Sequence, residues 1–165
     1  MRYDLVVNTF VKDALTKGYI IPFYGGEMWR PLIDIRDVAK AYILCIEAED
    51  EKVSGEIFNL VYRNFRISEL ALRVRSALKS IGIEIDIRPD YRYKGVRSYR
   101  VSGEKIKNRL GFTPTISVEE SVVDMVEKIK KYNCMNFENP IYYNIRWMKT
   151  LEEADEIIKI TGKIF

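Results

Sequence analysis

One run of residues organises the rest of this chain: Gly25-Gly26-Glu27-Met28-Trp29-Arg30-Pro31-Leu32-Ile33-Asp34-Ile35-Arg36-Asp37-Val38-Ala39-Lys40-Ala41-Tyr42. Its paired glycines supply the backbone torsions of a tight turn. Pro31 has no backbone N–H, which a strand tolerates at its start, so we predict that a strand begins there and that Arg30 lies at the turn-to-strand junction. Asp37 stands directly before a helical pattern, and we interpret its carboxylate as the cap of a helix that begins at Val38.

The composition is that of one globular domain, and we assign residues 1–165 to it. Of the residues, 47% are hydrophobic and 31% are charged, and the net charge of +3 is too small to identify a partner. The sequence has no histidine, which excludes Ser-His-Asp and Cys-His catalysis and most zinc sites, so we predict no metal site. No apolar run approaches the roughly 18 residues of a membrane helix and no signal peptide is visible, so we expect no membrane association.

The two cysteines, Cys45 and Cys134, lack the spacing of a disulfide framework, which indicates a reducing, cytoplasmic environment. Cys45 falls on the apolar face of a predicted helix over residues 37–47, together with Ala41 and Tyr42, and we expect a buried, inert thiol there. Cys134 lies in a polar loop, and its state is left open.

The hydrophobic periodicity predicts a mixed α/β (α+β) fold, with a small mixed sheet and about five helices. Helices are expected over residues 3–17, 37–47, 68–80, 117–132 and 150–162, with a short one over 103–109. Strands are expected over residues 19–24, in the opening run, over 56–62 and over 83–87. Residues 56–62 are almost continuously apolar, which is typical of a strand covered on both faces. Residues 132–165 form a C-terminal extension with the last amphipathic helix.

Local signals mark the ends of several helices. Ser117 and Glu120 have the spacing of a capping box at the start of the helix over 117–132. Thr150 and Glu153 repeat that spacing, and we interpret them as the start of the last helix. Gly162 then stands where that helix should end.

Two motifs resemble those of a known family. Arg30 after a glycine turn is followed by a strand and by Asp-Val-Ala-x-Ala, and Lys105-Ile106 is followed by Leu110-Gly111-Phe112-Thr113-Pro114. Together with their spacing, these motifs are similar to the extended short-chain dehydrogenase/reductase family, the NAD-dependent nucleotide-sugar epimerases and dehydratases. The resemblance covers roughly Met1 to Tyr132.

Two other motifs of that family are absent from the sequence. Its N-terminal half carries a glycine-rich G-x-G-x-x-G turn for the dinucleotide and a Tyr-x-x-x-Lys catalytic pair, and neither occurs here. The chain therefore resembles the C-terminal, substrate-binding half without the Rossmann half. The resemblance implies that NAD(P) serves the complete enzyme, that this chain alone binds no cofactor, and that it contains no catalytic residue. A Rossmann-domain partner chain or an upstream part of a longer polypeptide would supply them, since the segment at Met1 resembles an internal position of the family.

A basic, tyrosine-rich loop over residues 88–109 has three open interpretations. It can be a solvated charged face. It can hold a diphosphate, because guanidinium groups match pairs of phosphate oxygens. It can also bind single-stranded nucleic acid, with arginines along the backbone and tyrosines stacked on bases. Its basic residues are Arg88, Arg92, Lys94, Arg97, Arg100, Lys105, Lys107 and Arg109, with Tyr91, Tyr93 and Tyr99 between them.

The resemblance favours the diphosphate and implies the site residues. By motif position, Arg30 and Arg92 grip the pyrophosphate of a nucleoside-diphosphate sugar, and Arg97 is a further candidate. Phe23 stands where relatives place an apolar residue against the base, although core packing would also explain it. The segment around Asn8 lies near the phosphates.

The sequence departs from the family pattern at several positions. Tyr24 replaces a glycine expected after Phe23, Met28 stands where glutamine is common, and Gly95 comes one place later than the usual glycine of the loop. The predicted strand that ends at Tyr62 also lacks a following glycine.

We therefore expect the nucleotide-sugar-binding portion of an epimerase or dehydratase, not catalytically competent alone. The alternative is a non-enzymatic module that binds nucleic acid through the loop 88–109. In the family, a dinucleotide-binding domain covers the segment 30–48 and the strand near Phe58. Since this cover is missing here, we predict that the chain forms a homo-oligomer or binds a partner there, with the closing helix as a second contact.

Overall fold

The structure is a computed structural model that describes residues 2–92 and 97–162. Within them lie seven α-helices and four short strands, which confirms the mixed α/β class with more helices than the five or so expected. The family position Gly95, with Tyr93 and Lys94, falls outside the described residues. The helices are α1 (Val6–Lys17), α2 (Ile35–Glu47), α3 (Asp50–Val53), α4 (Ile67–Ser80), α5 (Glu104–Leu110), α6 (Val118–Lys131) and α7 (Asn144–Thr161), and the strands are β1 (Tyr19–Ile20), β2 (Trp29–Leu32), β3 (Arg63–Arg66) and β4 (Asp86–Ile87).

The described strands form two separate pairs. β1 and β4 run parallel, with Ile20 opposite Ile87, and β2 and β3 run antiparallel, with Arg30 opposite Phe65. The predicted strands over 19–24 and 83–87 are therefore shorter than expected. Beyond Ile20 the pairing continues only as a bridge between Phe23 and Asp90, because Pro22 has no N–H to donate to a ladder.

The strand predicted over residues 56–62 is wrong for this chain. Residues 56–61 have no regular secondary structure, and the strand β3 follows them instead. A strand covered on both faces needs hydrogen-bonding neighbours at its edges, and the described residues provide no such ladder at this segment. Ile57 accordingly has 82% of its surface exposed.

The larger hydrophobic core lies where α1, α4 and α6 pack together. A smaller cluster joins α2 to α5 through Ala41, Ile106 and Phe112. Cys45 is only partly buried against this cluster, rather than fully buried as expected. The fully buried side chains of the larger core include Tyr3, Val11, Ile20, Phe65, Leu70, Val74, Leu78, Val122, Val126 and Ile129.

The start of α2 differs from the prediction. Asp34, not Asp37, caps the helix, because its carboxylate accepts a hydrogen bond from the backbone N–H of Arg36 at 2.8 Å. Asp37 lies one turn further on and is buried. Its Oδ2 accepts the backbone N–H groups of Thr115 at 2.9 Å and Ile116 at 2.8 Å. Asp37 therefore ties α2 to the segment that leads into α6.

The electrostatics of Asp37 agree with this role. Burial by itself would raise the pKa of the Asp37 carboxyl. The N–H groups of Ile116 and Thr115 and the ammonium of Lys40, which lies 3.0 Å from Oδ1, outweigh burial and lower that pKa. The carboxylate is thus held in its charged form.

The helix ends follow the sequence signals in part. The capping box of Ser117 and Glu120 is present at the start of α6, as predicted. The last helix ends at Gly162, which has the expected left-handed conformation, but it begins at Asn144 rather than at Thr150. Thr150 instead donates its hydroxyl to the carbonyl of Arg146 within the helix.

The C-terminal extension is anchored to the residues before α1. Tyr3 is completely buried, with its ring centroid 5.0 Å from that of Phe137 and 5.1 Å from that of Tyr142. The hydroxyl of Tyr3 donates to the carbonyl of Cys134 at 3.0 Å, and burial raises the pKa of Tyr3 to about 12. By contrast, α7 has no buried residue. In the described ranges, no helix combines the length and the hydropathy needed to cross a membrane.

Candidate functional site

A cleft of about 1150 Å³ opens between α1, β2, the start of α2 and α6. Its walls are mainly apolar, with a limited number of polar side chains, which is the usual form of a small-molecule site. The charged, amide and hydroxyl side chains along it are Arg2, Asp4, Asn8, Thr9, Asp13, Lys17, Arg30, Asp34, Arg36, Tyr62, Tyr99, Ser117, Ser121, Asp124 and Lys128.

Three of the five predicted site residues line this cleft: Asn8, Phe23 and Arg30. Asn8 donates its side-chain amide to the carbonyl of Arg2 at 2.6 Å, so it is fixed at the start of α1. Phe23 has 46% of its surface exposed, which does not fit the alternative of core packing. The structure thus brings together the residues from the first two elements of the chain.

Arg30 is held by backbone oxygens on the cleft wall. Its Nη1 donates to the carbonyl of Trp29 at 2.7 Å and also to the carbonyl of Arg97. Its guanidinium carbon lies 5.3 Å from the ring centroid of Tyr99. No carboxylate forms an ion pair with Arg30 among the residues that the structure describes. The positive charge of Arg30 is therefore not neutralised within the described part of the chain.

Arg92 and Arg97 do not line the cleft. The Nε and Nη2 groups of Arg92 donate to the two carboxylate oxygens of Asp90, at 3.1 and 2.8 Å. These bonds and the backbone N–H of Arg92 lower the pKa of Asp90 to about 2. Arg97 contributes its carbonyl oxygen to Arg30, and its side chain is exposed.

Sequence reasoning missed the segment that holds Arg30 in place. Residues 97–101 lie along β2, where the backbone N–H of Trp29 donates to Ser98 Oγ at 3.0 Å. Asn64 exchanges two hydrogen bonds of 2.9 Å with the backbone of Val101. Tyr99 was visible only as one of several interleaved tyrosines, because its contact with Arg30 joins residues that are far apart in the sequence.

A second charged group stands on the cleft wall at the start of α2. Asp34 binds the guanidinium of Arg36 through both carboxylate oxygens, at 2.9 and 3.0 Å, and it also accepts the hydroxyl of Ser121. The bonds from Arg36 are the main reason that the pKa of Asp34 lies well below its ordinary value. The charges of Asp34 and Arg36 are thus paired with each other, and the bond from Ser121 ties the start of α2 to α6.

The turn before β2 shows how the chain accommodates its departures from the family pattern. Tyr24 adopts a φ of +53°, a left-handed conformation that glycine takes more easily. Gly26, with a φ of +80°, lies against the start of α4, and an added Cβ would come within 2.5 Å of the backbone nitrogen of Ser68. Met28 packs in the core with 6% of its surface exposed, and it also forms part of the cleft wall.

The chain was compared with protein families, curated proteins and solved structures. Residues 3–60 match the family model described as the NAD dependent epimerase/dehydratase family. No curated protein matches the chain. The matched residues include the turn, β2, the start of α2 and Arg30.

Solved structures with a similar fold include several sugar-nucleotide enzymes. UDP-glucose 4-epimerase from Thermotoga maritima, solved with UDP-glucose, is 26% identical with a TM-score of 0.60, over 78% of this chain and 40% of that chain. UDP-glucuronic acid 4-epimerase from Bacillus cereus, in complex with UDP-glucuronic acid and NAD, is 19% identical with a TM-score of 0.65, over 80% and 41%. dTDP-glucose 4,6-dehydratase from Bacillus anthracis, in complex with NAD, is 17% identical with a TM-score of 0.61, over 88% and 43%.

The described fold is that of one part of an extended short-chain dehydrogenase/reductase. The family model that matches residues 3–60 is that of the NAD-dependent epimerases and dehydratases, the family that the motifs resemble. The chain spans about 40 to 44% of the length of the first solved structures that it matches.

Proposed function

We propose that this chain is the nucleotide-sugar-binding portion of an NAD-dependent nucleoside-diphosphate-sugar epimerase or dehydratase. One observation carries the proposal: Arg30 lies within the family match and on the wall of the cleft, with no carboxylate partner among the described residues. Arginine at such a site matches the paired oxygens of a diphosphate. UDP-glucose and UDP-glucuronic acid in the similar enzymes support the same class of ligand.

The other predicted residues contribute to ligand binding in different ways in this proposal. Asn8 stands beside the phosphates at the start of α1, and Phe23 offers its exposed ring to the base. Arg92 and Arg97 do not line the cleft, and each would have to turn its side chain towards it to act as a further cation of the diphosphate site. Arg92 has to release Asp90 before it binds a phosphate, so we expect it to contribute less than Arg30.

Redox chemistry at the sugar requires parts that this sequence does not contain. The G-x-G-x-x-G turn and the Tyr-x-x-x-Lys pair are both absent from the 165 residues. We propose that the dinucleotide and the catalytic pair come from a Rossmann part, either on a partner chain or in the same polypeptide. NAD in the similar enzymes supports this division.

Exposed apolar side chains mark where the Rossmann part would dock. Ile35, Tyr42, Ile43 and Ile46 of α2 have between 54% and 81% of their surface exposed. Ile57, in the segment without a strand partner, adds to them. Apolar surface of this kind is usually covered in a functional assembly.

The nucleic-acid alternative finds less support in the charge distribution. Glu56 pairs with both Lys105 and Arg109 at 2.6 Å, and Asp90 pairs with Arg92 at 2.8 Å. Arg88 pairs with Asp86 at 3.0 Å. Four of the basic side chains in the loop 88–109 are thus paired locally with three carboxylates, whereas a nucleic-acid groove presents unpaired cations to the phosphate backbone.

Thermal unfolding in the presence of ligands separates the two functions. We expect UDP- and dTDP-sugars to raise the melting temperature of the chain, because a ligand that binds only the folded state stabilises it. Single-stranded oligonucleotides should leave the melting temperature unchanged. Stabilisation by oligonucleotides and not by any sugar nucleotide would replace the proposed function with the alternative.

A further inference from the structure

The guanidinium of Arg30 is only partly committed to protein acceptors. Both hydrogens of its Nη1 are directed at backbone carbonyls, those of Trp29 and Arg97. A guanidinium has five N–H donors, so the Nε–H and the two Nη2–H groups remain. The described residues offer these three donors no acceptor. They form the edge of the guanidinium that binds an oxyanion through two parallel hydrogen bonds.

The ring of Tyr99 covers one face of the same guanidinium. Its ring centroid lies 5.3 Å from the guanidinium carbon, within the range of a cation–π contact. Tyr99 and Arg30 both line the cleft, and 51% of the Tyr99 surface is exposed. A ring over one face leaves the in-plane edge of Arg30 as the direction from which an anion approaches.

The backbone of Tyr99 is itself fixed to the strand. Its N–H donates to the carbonyl of Trp29 at 3.4 Å, the same oxygen that receives Arg30 Nη1. On its two sides, Ser98 binds the N–H of Trp29 and Val101 is paired with Asn64. Arg100 packs on the ring of Trp29, with its guanidinium carbon 4.7 Å from the centroid. The backbone from which the Tyr99 ring projects is therefore fixed beside β2 by several contacts.

We propose that Tyr99 is the positioning residue for Arg30, which it holds with the Nε and Nη2 edge turned to the cleft for a diphosphate oxygen pair. This inference rests on the proposed function for the identity of the anion. Its physical content is preorganisation: a guanidinium already held in place loses less conformational freedom when the anion binds.

Nuclear magnetic resonance of arginine side chains tests the positioning without any ligand. The ring current of Tyr99 should displace the Nε–H signal of Arg30. Tyr99→Leu should move that signal to the range of unstacked arginines, and Tyr99→Phe should restore it because the ring is retained. An Arg30 signal that is the same in Tyr99→Leu as in the unchanged protein would overturn the inference.

Calorimetric binding of UDP-glucose to the full chain tests the consequence. Tyr99→Leu should weaken binding about two- to fivefold, the range of a partly exposed cation–π contact. Tyr99→Phe should restore the affinity, and Tyr99→Leu should have no further effect in an Arg30→Ala background. Tyr132→Leu, an exposed tyrosine at the end of α6, is the control.

The outcomes separate this inference from the proposed function. If Arg30→Ala weakens binding but Tyr99→Leu does not, the positioning role is wrong and the proposed function stands. If the unchanged chain binds no sugar nucleotide, the proposed function fails, and the resonance of Arg30 alone decides the positioning role.

Discussion

Asp37 is a buried carboxylate that joins two distant segments, and its loss should be costly. Asp37→Ala leaves the buried N–H groups of Thr115 and Ile116 without an acceptor, so we expect the free energy of unfolding to fall by about 2–4 kcal/mol. Urea denaturation measures the change. The control is Asp155→Ala, which removes an exposed ion pair with Lys159 and should change stability by no more than about 0.5 kcal/mol. Equal effects of the two substitutions would contradict this role.

The carboxylate of Asp37 should also make the free energy of unfolding depend on pH. The pKa of Asp37 is lowered in the folded state from its ordinary value of 3.8, so its contribution to stability is present above that value. The contribution is lost as the pH falls through the folded-state pKa. Between pH 5 and pH 2, roughly the range in which carboxylates titrate, the unfolding free energy of Asp37→Asn should therefore decline less steeply than that of the unchanged protein. Parallel curves would show that Asp37 is not linked to folding.

Single residues were predictable from the sequence where their role is local. Arg30 was predicted just after a glycine turn and lies there, but the predicted strand start at Pro31 is wrong, because β2 begins at Trp29 and includes Arg30. The family resemblance implied its role as a site residue, and its side chain lines the cleft. The partners of Asp37 and the contact between Tyr99 and Arg30 were not predictable, since they connect segments whose approach depends on the whole fold. A helix-start aspartate is normally a cap, and here Asp34 takes that place.

At the level of elements, the turn before β2 depends on Gly26. Gly26→Ala should destabilise the fold by at least about 1 kcal/mol more than Gly82→Ala, because overpacking adds to backbone strain. Both glycines have a φ near +80°, but an added Cβ at Gly26 meets the backbone of Ser68 at 2.5 Å while Gly82 has open space around it. Thermal unfolding of the two variants measures the difference. Equal losses would mean that the close approach to α4 relaxes without cost.

Helices were predicted more accurately than strands, for a physical reason. The hydrogen bonds of α6 lie within the helix, and its capping box could be recognised from Ser117 and Glu120 alone. A strand depends on neighbours, and the apolar run over 56–62 has no ladder among the described residues. Its side chains Phe58 and Leu60 pack on the smaller hydrophobic cluster while Ile57 stays exposed, so the described residues cover the run in part and without a ladder.

At the scale of the whole molecule, apolar side chains are exposed on α2 and on α7. We predict that the chain self-associates through the exposed face of α2. At about 100 μM, well above the micromolar affinity of a modest interface, light scattering should detect a species larger than the monomer. Ile46→Lys, on the exposed face of α2, should reduce that association. Leu72→Lys, on the exposed side of α4, is the matched control. A monodisperse monomer of the unchanged chain would rule out self-association and leave a Rossmann part, on a partner chain or in the same polypeptide, to cover this surface.

The proposed division into a sugar-nucleotide part and a Rossmann part predicts that this chain alone has no turnover. Because the sequence contains neither a glycine-rich dinucleotide turn nor a Tyr-x-x-x-Lys pair, the pure protein with added NAD and UDP-glucose should form no epimerised or dehydrated product. Chromatography of the sugar nucleotides after long incubation measures this. Any product above the level of a heat-denatured sample would show that the chain carries catalytic groups of its own.

Titration calorimetry of UDP-glucose into the full chain tests most directly whether the cleft is a nucleotide-sugar site. We predict that the unchanged chain binds and that Arg30→Ala weakens binding by about 1.5–3 kcal/mol, roughly 10- to 150-fold, because charge-assisted bonds to the diphosphate are lost. Arg75→Ala, an exposed arginine of α4 outside the cleft, should bind as the unchanged chain does. The same affinity in Arg30→Ala and in the unchanged chain would contradict the assignment of the site.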